Sequence, residues 1–233
     1  MAVHPPELFA SEAWLAWLLQ YIGPERKAVM AEKLRLRTNA LTVVLENIYQ
    51  PHNASAVLRT CDCFGLQDVH VIENGYRFKS VPDISLGATR WLRVFRYPES
   101  TKEALTKIKA KGYKVWATTP HHRSVTLDQL SLSPSEPVAL LMGTEQTGLS
   151  EEALSMADAF VHIPMYGFTE SLNISVSAAI AIHHLNAKLR QTAGWELSPE
   201  VQQQVLIHWI SGGIRNLPDL QRRFLMTNEP NGT

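Results

Sequence analysis

The stretch LTVVLENIYQPHNASAVLRTCDCFGLQDVHVIE, residues 41–73, carries the pattern that decides the fold class. Its first five residues, 41–45, form an apolar, β-branched run that predicts a buried strand, and 69–73 predicts a second one. Between these runs 54–64 is a predicted helix, with Asn53 as its N-cap and a glycine just past its end. The stretch is therefore a predicted strand–helix–strand unit.

The same alternation continues through most of the chain. Further β-branched runs predict strands at 92–96, 115–118, 138–142 and 160–163. Helices are predicted at 101–110, which Gly112 closes, and at 173–189. This alternation indicates an α/β domain whose mostly parallel sheet is covered by helices on both faces. Ligands of such sheets bind at loops beyond the carboxyl ends of the strands, so functional residues are expected there.

Helices are also predicted on both sides of this domain. Residues 8–37 are typical of two helices separated by a Gly-Pro break, and two more are predicted at 199–210 and 217–225. We therefore predict three parts. They are an N-terminal helical extension at 1–38, an α/β domain at 39–192 and a C-terminal helical tail at 193–233.

The second N-terminal helix, 25–37, contains five basic and two acidic residues. A solvated helix face and a polyanion-binding face both account for this local excess of positive charge. On the second hypothesis, the phosphate-contacting side chains are Arg26, Lys27, Lys33, Arg35 and Arg37.

Composition limits the class of protein further. The chain has 233 residues, of which 45% are hydrophobic, and its formal net charge is zero. It has no apolar run of about 18 residues, so no membrane span is expected. Its two cysteines, Cys61 and Cys63, would point to different sides of a helix and make poor disulfide or zinc partners. We expect a cytoplasmic protein.

Three loops at predicted strand ends could carry chemistry. The first, 51–60, opens a helix directly after a strand, which makes a natural anion site, and contains Arg59. The second, 142–150, has two glycines five residues apart, which suggests a tight backbone loop around a ligand. It lacks the lysine of a phosphate-binding P-loop, because Leu149 stands at that position. The third loop, 163–177, leads into a helix rich in small residues.

Each loop also has a purely structural explanation. Arg59 could be a surface or ion-paired arginine, and the second loop could be a simple strand-to-helix turn. The slim helix after the third loop could be packed in a crowded core. Taken one at a time, the loops leave these explanations open.

Together, the three loops resemble the three sequence motifs of the SPOUT methyltransferases, and among these the TrmH-type tRNA ribose methyltransferases. The resemblance extends from 41 to 189. It is carried by Asn53 and Arg59 in the first motif, by Gly143, Glu145 and Gly148 in the second, and by Ile163-Pro164-Met165 and Ser171-Leu172-Asn173 in the third.

The resemblance implies a deep trefoil knot formed by the second and third loops, and a homodimer with its active site at the subunit interface. It implies S-adenosylmethionine as the cofactor and an RNA ribose 2′-hydroxyl as the acceptor, with guanosine 18 in the D-loop of tRNA as the expected target. The implied cofactor pocket comprises Thr118, Met142, Gly143, Ile163, Met165, Ser171 and Leu172. The implied catalytic and RNA-contacting set is Asn53, Arg59, Glu145 and Asn173.

The alternatives are methylation of ribosomal RNA or of another tRNA position, and a non-catalytic RNA-binding protein with the same fold. The presence of Arg59 favours an enzyme. Its guanidinium could itself accept the hydroxyl proton, or it could hold an RNA phosphate that helps to accept it. No metal is expected, because the motifs contain no cluster of metal ligands.

Overall fold

The computed structural model describes residues 6–119, 124–144 and 146–228. Within these ranges seven strands form one sheet in the order β3-β2-β1-β6-β4-β7-β5, and all neighbouring strands are parallel. The strands are β1 (Leu41–Glu46), β2 (Asp68–Ile72), β3 (Arg93–Tyr97), β4 (Lys114–Thr118), β5 (Val125–Thr126), β6 (Val138–Met142) and β7 (Ala159–His162). The predicted parallel sheet is confirmed. The sequence pattern misses β5, because a two-residue strand carries no recognisable periodicity.

Helices cover both faces of the sheet, as predicted. They are α3 (Pro51–Cys63), α4 (Pro82–Ser85), α5 (Ala88–Trp91), α6 (Thr101–Ala110), α7 (Glu151–Ser155) and α8 (Ile174–Leu189). On one face α3 and α8 pack against Val43 and Leu45, and on the other α6 and α7 pack against Val44. Successive side chains of β1 thus enter opposite cores, which is why residues 43–45 are apolar without interruption.

One helix boundary differs from its prediction. α3 begins at Pro51 with Gln50 as its N-cap, so Asn53 lies inside the first turn and is not the cap. Proline at the first helical position favours this earlier start, because its fixed φ suits a helix and its missing N–H would have no intrahelical partner. The Asn53 amide therefore does not cap α3, and it is hydrogen-bonded to the Gln50 and Asn173 side chains.

The contact pattern divides the chain into two compact units. The α/β unit is Arg37–Glu196, and the other unit combines Met1–Leu36 with Leu197–Thr233, of which 6–36 and 197–228 are described. Its helices are α1 (Glu12–Leu19), α2 (Pro24–Leu34), α9 (Pro199–Ser211) and α10 (Leu217–Asn228). Aromatic rings pack between α1 and α10, where Trp14 and Phe224 meet edge to face with ring centroids 5.0 Å apart. The three-part division at 38 and 192 stays a prediction.

Arg37 is not the exposed cation that the sequence pattern predicts. α2 ends at Leu34, and Arg37 is 7% exposed. Its guanidinium donates to the Asp62 carboxylate at 2.5 Å and to the Leu66 carbonyl at 3.2 Å. A buried, paired guanidinium is unavailable to an RNA phosphate, so the prediction for Arg37 is wrong. Four of the five predicted cations remain exposed: Arg26, Lys27, Lys33 and Arg35.

A buried aromatic cluster on β2 and β3 contains an uncharged histidine. His70 is 1% exposed, stacks on Phe95 with ring centroids 5.1 Å apart, and contacts the Tyr97 hydroxyl through Nδ1 at 2.9 Å. Burial, with smaller contributions from the Lys111 and Arg93 charges, lowers the pKa of His70 to about 3. Protonation of this side chain therefore opposes folding.

Two further sequence predictions concern the cysteines and the membrane. Cys61 is buried and Cys63 exposed, and both thiols are free, so they do lie on different sides of α3. Burial raises the pKa of the Cys61 thiol, which makes it unreactive. In the described part of the chain, no helix combines the length and apolar character that crossing a bilayer requires.

Candidate functional site

A cavity of about 490 Å³ lies at the carboxyl ends of β4, β6 and β7. The loops that follow these strands form most of its wall. Its lining includes all seven residues predicted for the cofactor pocket: Thr118, Met142, Gly143, Ile163, Met165, Ser171 and Leu172. Positions separated by more than 50 residues in sequence therefore meet around one space, and its size suits a small organic ligand.

The second loop owes its shape to its two glycines. Thr144 and Gly148 exchange two backbone hydrogen bonds, of 3.1 and 3.0 Å, which close the loop on itself. Gly148 has a φ of +68°, a left-handed conformation that favours glycine. A Cβ on Gly143 would lie 2.2 Å from the Gly148 carbonyl oxygen, so this position accepts only glycine. The two glycines therefore allow a tight loop whose backbone faces the cavity.

A buried carboxylate that the sequence reasoning missed anchors the end of this loop. Glu46, at the end of β1, is 2% exposed. It accepts hydrogen bonds from the Ser150 backbone N–H at 2.9 Å, the Ser150 hydroxyl at 2.6 Å and the Thr101 hydroxyl at 2.7 Å. Ser150 in turn caps α7. The signal that could have revealed Glu46 is a single acidic residue closing an otherwise apolar strand.

The first turn of α3 and the end of the third loop meet through two asparagines. Asn173 Nδ2 donates to Asn53 Oδ1 at 3.1 Å, although 120 residues separate them. The Asn173 side chain also caps α8, because its Oδ1 accepts from the Ser175 backbone N–H at 2.9 Å. Asn53 is 8% exposed and donates to Gln50 Oε1 at 2.6 Å. The structure thus brings together two of the four predicted catalytic residues.

Arg59 projects from α3 and is exposed. It is not among the residues that line the cavity. The predicted first loop, 51–60, is helical throughout and lies within α3, and an exposed cation on this helix is available to an RNA phosphate. Glu145, the fourth predicted catalytic residue, lies outside the described residues.

A lysine that the sequence reasoning missed holds one wall of the cavity. Lys188, near the end of α8, donates to the backbone carbonyls of Leu127, Asp128 and Leu130 at 3.0, 2.6 and 3.0 Å. Leu127 lines the cavity. The ammonium group therefore fixes the segment that follows β5. A lysine in the last turn of a helix is a common capping feature, so the sequence holds no particular signal for this role.

Metal ligands do not cluster in the described parts of the chain. No group of three or more His, Cys, Asp and Glu side chains in those parts could hold a metal ion. The polar side chains at the cavity include hydroxyls and an amide together with the ionisable groups of Glu151, His162 and Glu170. Such a lining suits an organic ligand that is recognised by shape and hydrogen bonding.

An α/β protein with a cavity of mixed apolar and polar lining, built from loops at the carboxyl ends of parallel strands, belongs to the class that binds small organic ligands at this edge. Comparison with known proteins specifies the class. A family model described as the SpoU rRNA Methylase family matches residues 40–183. The chain belongs to this family.

Individual relatives agree with this assignment. A tRNA (guanosine(18)-2'-O)-methyltransferase of Borreliella burgdorferi is 44% identical over 176 residues, which are 76% of this chain and 79% of that protein. The crystal structure of the A. aeolicus TrmH/SpoU tRNA modifying enzyme superposes with a TM-score of 0.73 at 28% identity, covering 82% of this chain and 97% of that one. The AdoMet-bound rRNA methyltransferase from Sinorhizobium meliloti has a TM-score of 0.54 at 25% identity, covering 66% and 58%.

Proposed function

We propose that the protein transfers a methyl group from S-adenosylmethionine to the ribose 2′-hydroxyl of guanosine 18 in the D-loop of tRNA. The observation that carries this proposal is the single cavity around which all seven predicted cofactor residues meet. The identity to a tRNA (guanosine(18)-2'-O)-methyltransferase supports the choice of substrate. A nucleotide in a loop is also physically accessible, because it can be splayed out and its 2′-hydroxyl presented.

The cavity fits the proposed cofactor. Met142, Ile163 and Leu172 provide apolar surface for an adenine ring, and the loops around Gly143 and Ser171 provide backbone groups for hydrogen bonds. Gly143 has no side chain, and a Cβ at this position would collide with the Gly148 backbone. When bound, the cofactor supplies an activated methyl group on a sulfonium.

The protein's part in the reaction is to hold the acceptor and assist loss of its proton. In our proposal Arg59 binds an RNA phosphate and draws it toward the 2′-hydroxyl, so that the phosphate helps to accept the proton. A guanidinium stays protonated in proteins, which suits this anchoring role better than that of a free base. Asn53 and Asn173 orient the acceptor ribose, and Glu145 orients Arg59 or an RNA hydroxyl. Such positioning can lower a barrier by about 7–11 kcal/mol.

We further propose the deep trefoil knot of this family and a homodimer. The knot would be formed by the second and third loops, which line the same cavity. The dimer is supported by apolar side chains left exposed on α8, where Val176 and Ile180 lie one turn apart and are 45% and 41% exposed. A second copy would cover this stripe and bring its own residues to the active site.

The helical unit is the proposed accessory RNA-binding surface. Its cations Arg26, Lys27 and Arg35 are exposed and can contact phosphates. Lys33 forms an ion pair with Glu32, with 2.9 Å between Nζ and Oε1. A tRNA substrate and two free cysteines are in keeping with a cytoplasmic location.

The decisive experiment incubates the protein with labelled S-adenosylmethionine and a tRNA transcript, with a ribosomal RNA transcript in a parallel reaction, and maps the product. The matched control is the same tRNA with 2′-deoxyguanosine at position 18. We expect label at guanosine 18 of the unmodified tRNA and none in the 2′-deoxyguanosine control. Equal labelling of both, or labelling of ribosomal RNA alone, would refute the proposed target. Absence of transfer to every RNA, with RNA binding retained, would indicate a non-catalytic binding protein.

A further inference from the structure

Two exposed tyrosines form a pair at the carboxyl edge of the sheet. Tyr49 follows β1 and Tyr76 follows β2, and they are 37% and 58% exposed. Their ring centroids are 5.9 Å apart at an angle of 50°. Burying an aromatic ring is favourable, so a pair left partly in solvent on one edge is typical of a binding surface.

Hydrogen bonds hold the two loops that carry this pair. Asn47 adopts a left-handed φ of 51°. Its side chain donates to Asn74 Oδ1 at 2.7 Å and accepts from the Gly75 backbone N–H at 2.8 Å. Asn47 therefore joins the loop after β1 to the loop after β2, immediately before Tyr76. The backbone segments that carry the two tyrosines are thus joined by hydrogen bonds in addition to the contact between the rings.

The far end of the loop after β2 is fixed to α3. The Val81 backbone N–H donates to Ser55 Oγ at 2.7 Å, and Ser55 Oγ donates to the Pro51 carbonyl at 2.6 Å. Ser55 lies one helical turn before Arg59 on the same helix. The loop from β2 thus runs back to the helix that presents the proposed phosphate anchor.

A chain of side-chain hydrogen bonds links the pair to the cofactor cavity. The Tyr49 hydroxyl accepts from Gln50 Nε2 at 3.2 Å, and Gln50 Oε1 accepts from Asn53 Nδ2 at 2.6 Å. Asn53 Oδ1 accepts from Asn173 Nδ2 at 3.1 Å, and residues on either side of Asn173 line the cavity. Tyr49 is therefore connected through Gln50 and Asn53 to Asn173 beside the cavity, and Tyr76 contacts the Tyr49 ring.

The charges beside Tyr76 match an RNA strand. Arg77 directly follows it and Lys79 lies three residues on, and both side chains are exposed. Aromatic rings flanked by cations are the surface on which unpaired nucleotides bind, because bases stack on the rings and phosphates contact the cations. Lysine is depleted at protein–protein interfaces, so Lys79 beside the pair favours a nucleic-acid strand over a protein partner.

We propose that Tyr76, backed by Tyr49, stacks on an unpaired base of the substrate loop and so places the neighbouring ribose beside Arg59 and Asn53. This inference rests on the proposed function, and it adds a substrate-positioning surface formed by Tyr49, Tyr76, Arg77 and Lys79. Stacking on a ring does not discriminate between bases, so the surface contributes affinity and register and leaves base identity to other contacts.

The test compares Tyr76→Ala, Tyr76→Leu and Tyr76→Phe. The affinity of each for tRNA is measured by fluorescence anisotropy, and methyl transfer is followed separately. We expect Tyr76→Ala and Tyr76→Leu to weaken tRNA binding by about 5- to 140-fold, and Tyr76→Phe to bind as the wild type does, because stacking needs the ring and not the hydroxyl. The affinity for S-adenosylmethionine should stay unchanged in all three.

A fluorescent base reports stacking directly. With 2-aminopurine at an unpaired D-loop position beside guanosine 18, fluorescence in complexes of the wild type and Tyr76→Phe should be lower than in the Tyr76→Ala complex. Equal tRNA affinity of wild type and Tyr76→Ala would overturn the proposal, and so would equal affinity of Tyr76→Leu and Tyr76→Phe. Conversion of a wild-type dimer into monomers by Tyr76→Ala, seen in light scattering, would assign the pair to a contact between copies and overturn it as well. Because binding is measured apart from catalysis, a wild type that methylates no RNA would refute the proposed function without deciding this inference.

Discussion

Substituting Gly143 by alanine should damage the cofactor cavity while leaving the rest of the fold in place. The new Cβ would lie 2.2 Å from the Gly148 carbonyl oxygen and 2.5 Å from the Leu149 nitrogen. Ordinary contact needs roughly 3.4 Å, so the backbone at Gly148 must move by about 1 Å. That shift strains the two hydrogen bonds between Thr144 and Gly148, each worth about 0.5–1.5 kcal/mol. We therefore expect a loss of about 1–3 kcal/mol in cofactor binding, a 5- to 140-fold weaker affinity.

The assay is isothermal titration calorimetry with S-adenosylmethionine, accompanied by thermal unfolding of the same preparation. Gly167→Ala is the matched control, since Gly167 lies in the third loop, has no left-handed φ and has only one atom, 4.0 Å away, near an added Cβ. We expect the control to bind the cofactor as the wild type does. Wild-type affinity in Gly143→Ala would refute the reasoning, because it would show that the loop tolerates a displaced Gly148.

Four further changes test other parts of the structure. Arg59→Ala should reduce methyl transfer by about 100-fold or more with an unchanged cofactor dissociation constant, since Arg59 does not line the cavity; equal loss of both would make Arg59 structural. Asn173→Ala should weaken cofactor binding and turnover together, because it removes the α8 cap and the contact with Asn53; normal values of both would contradict this. The double variant Arg26→Gln/Arg35→Gln should make the dependence of log tRNA affinity on log salt shallower by about 2, whereas an identical slope would show that α2 is a solvated face. His70 has a folded pKa of about 3, below its ordinary value of 6.5, so the unfolded chain binds its proton more readily and stability falls as pH drops through this window. Chemical unfolding should show up to about 3 kcal/mol of this loss by about pH 4 in the wild type and a flatter profile in His70→Phe.

Short-range patterns determined much of the fold and of the candidate site. Strands from β1 to β7, except β5, were predictable because a buried parallel strand is a continuous β-branched run. Capping residues set the ends of α6 and α8 for the same local reason. Sheet geometry indicated only the edge where functional loops would lie, because loops at the carboxyl ends of parallel strands converge there. The seven residues predicted for the cofactor came from the resemblance to the SPOUT methyltransferases, and the structure places all seven around one cavity.

Tertiary structure decided what each side chain meets. Charge pattern placed Arg37 on an exposed helix, but Asp62, 25 residues away, draws it into the core. Glu46 meets Ser150 across 104 residues, and Asn53 meets Asn173 across 120. The tyrosine pair exists only because β1 and β2 are neighbours in the sheet. These contacts depend on the strand order and on the path of each loop. Periodicity along the chain indicates whether a residue is buried, but it does not indicate which distant residue that side chain contacts.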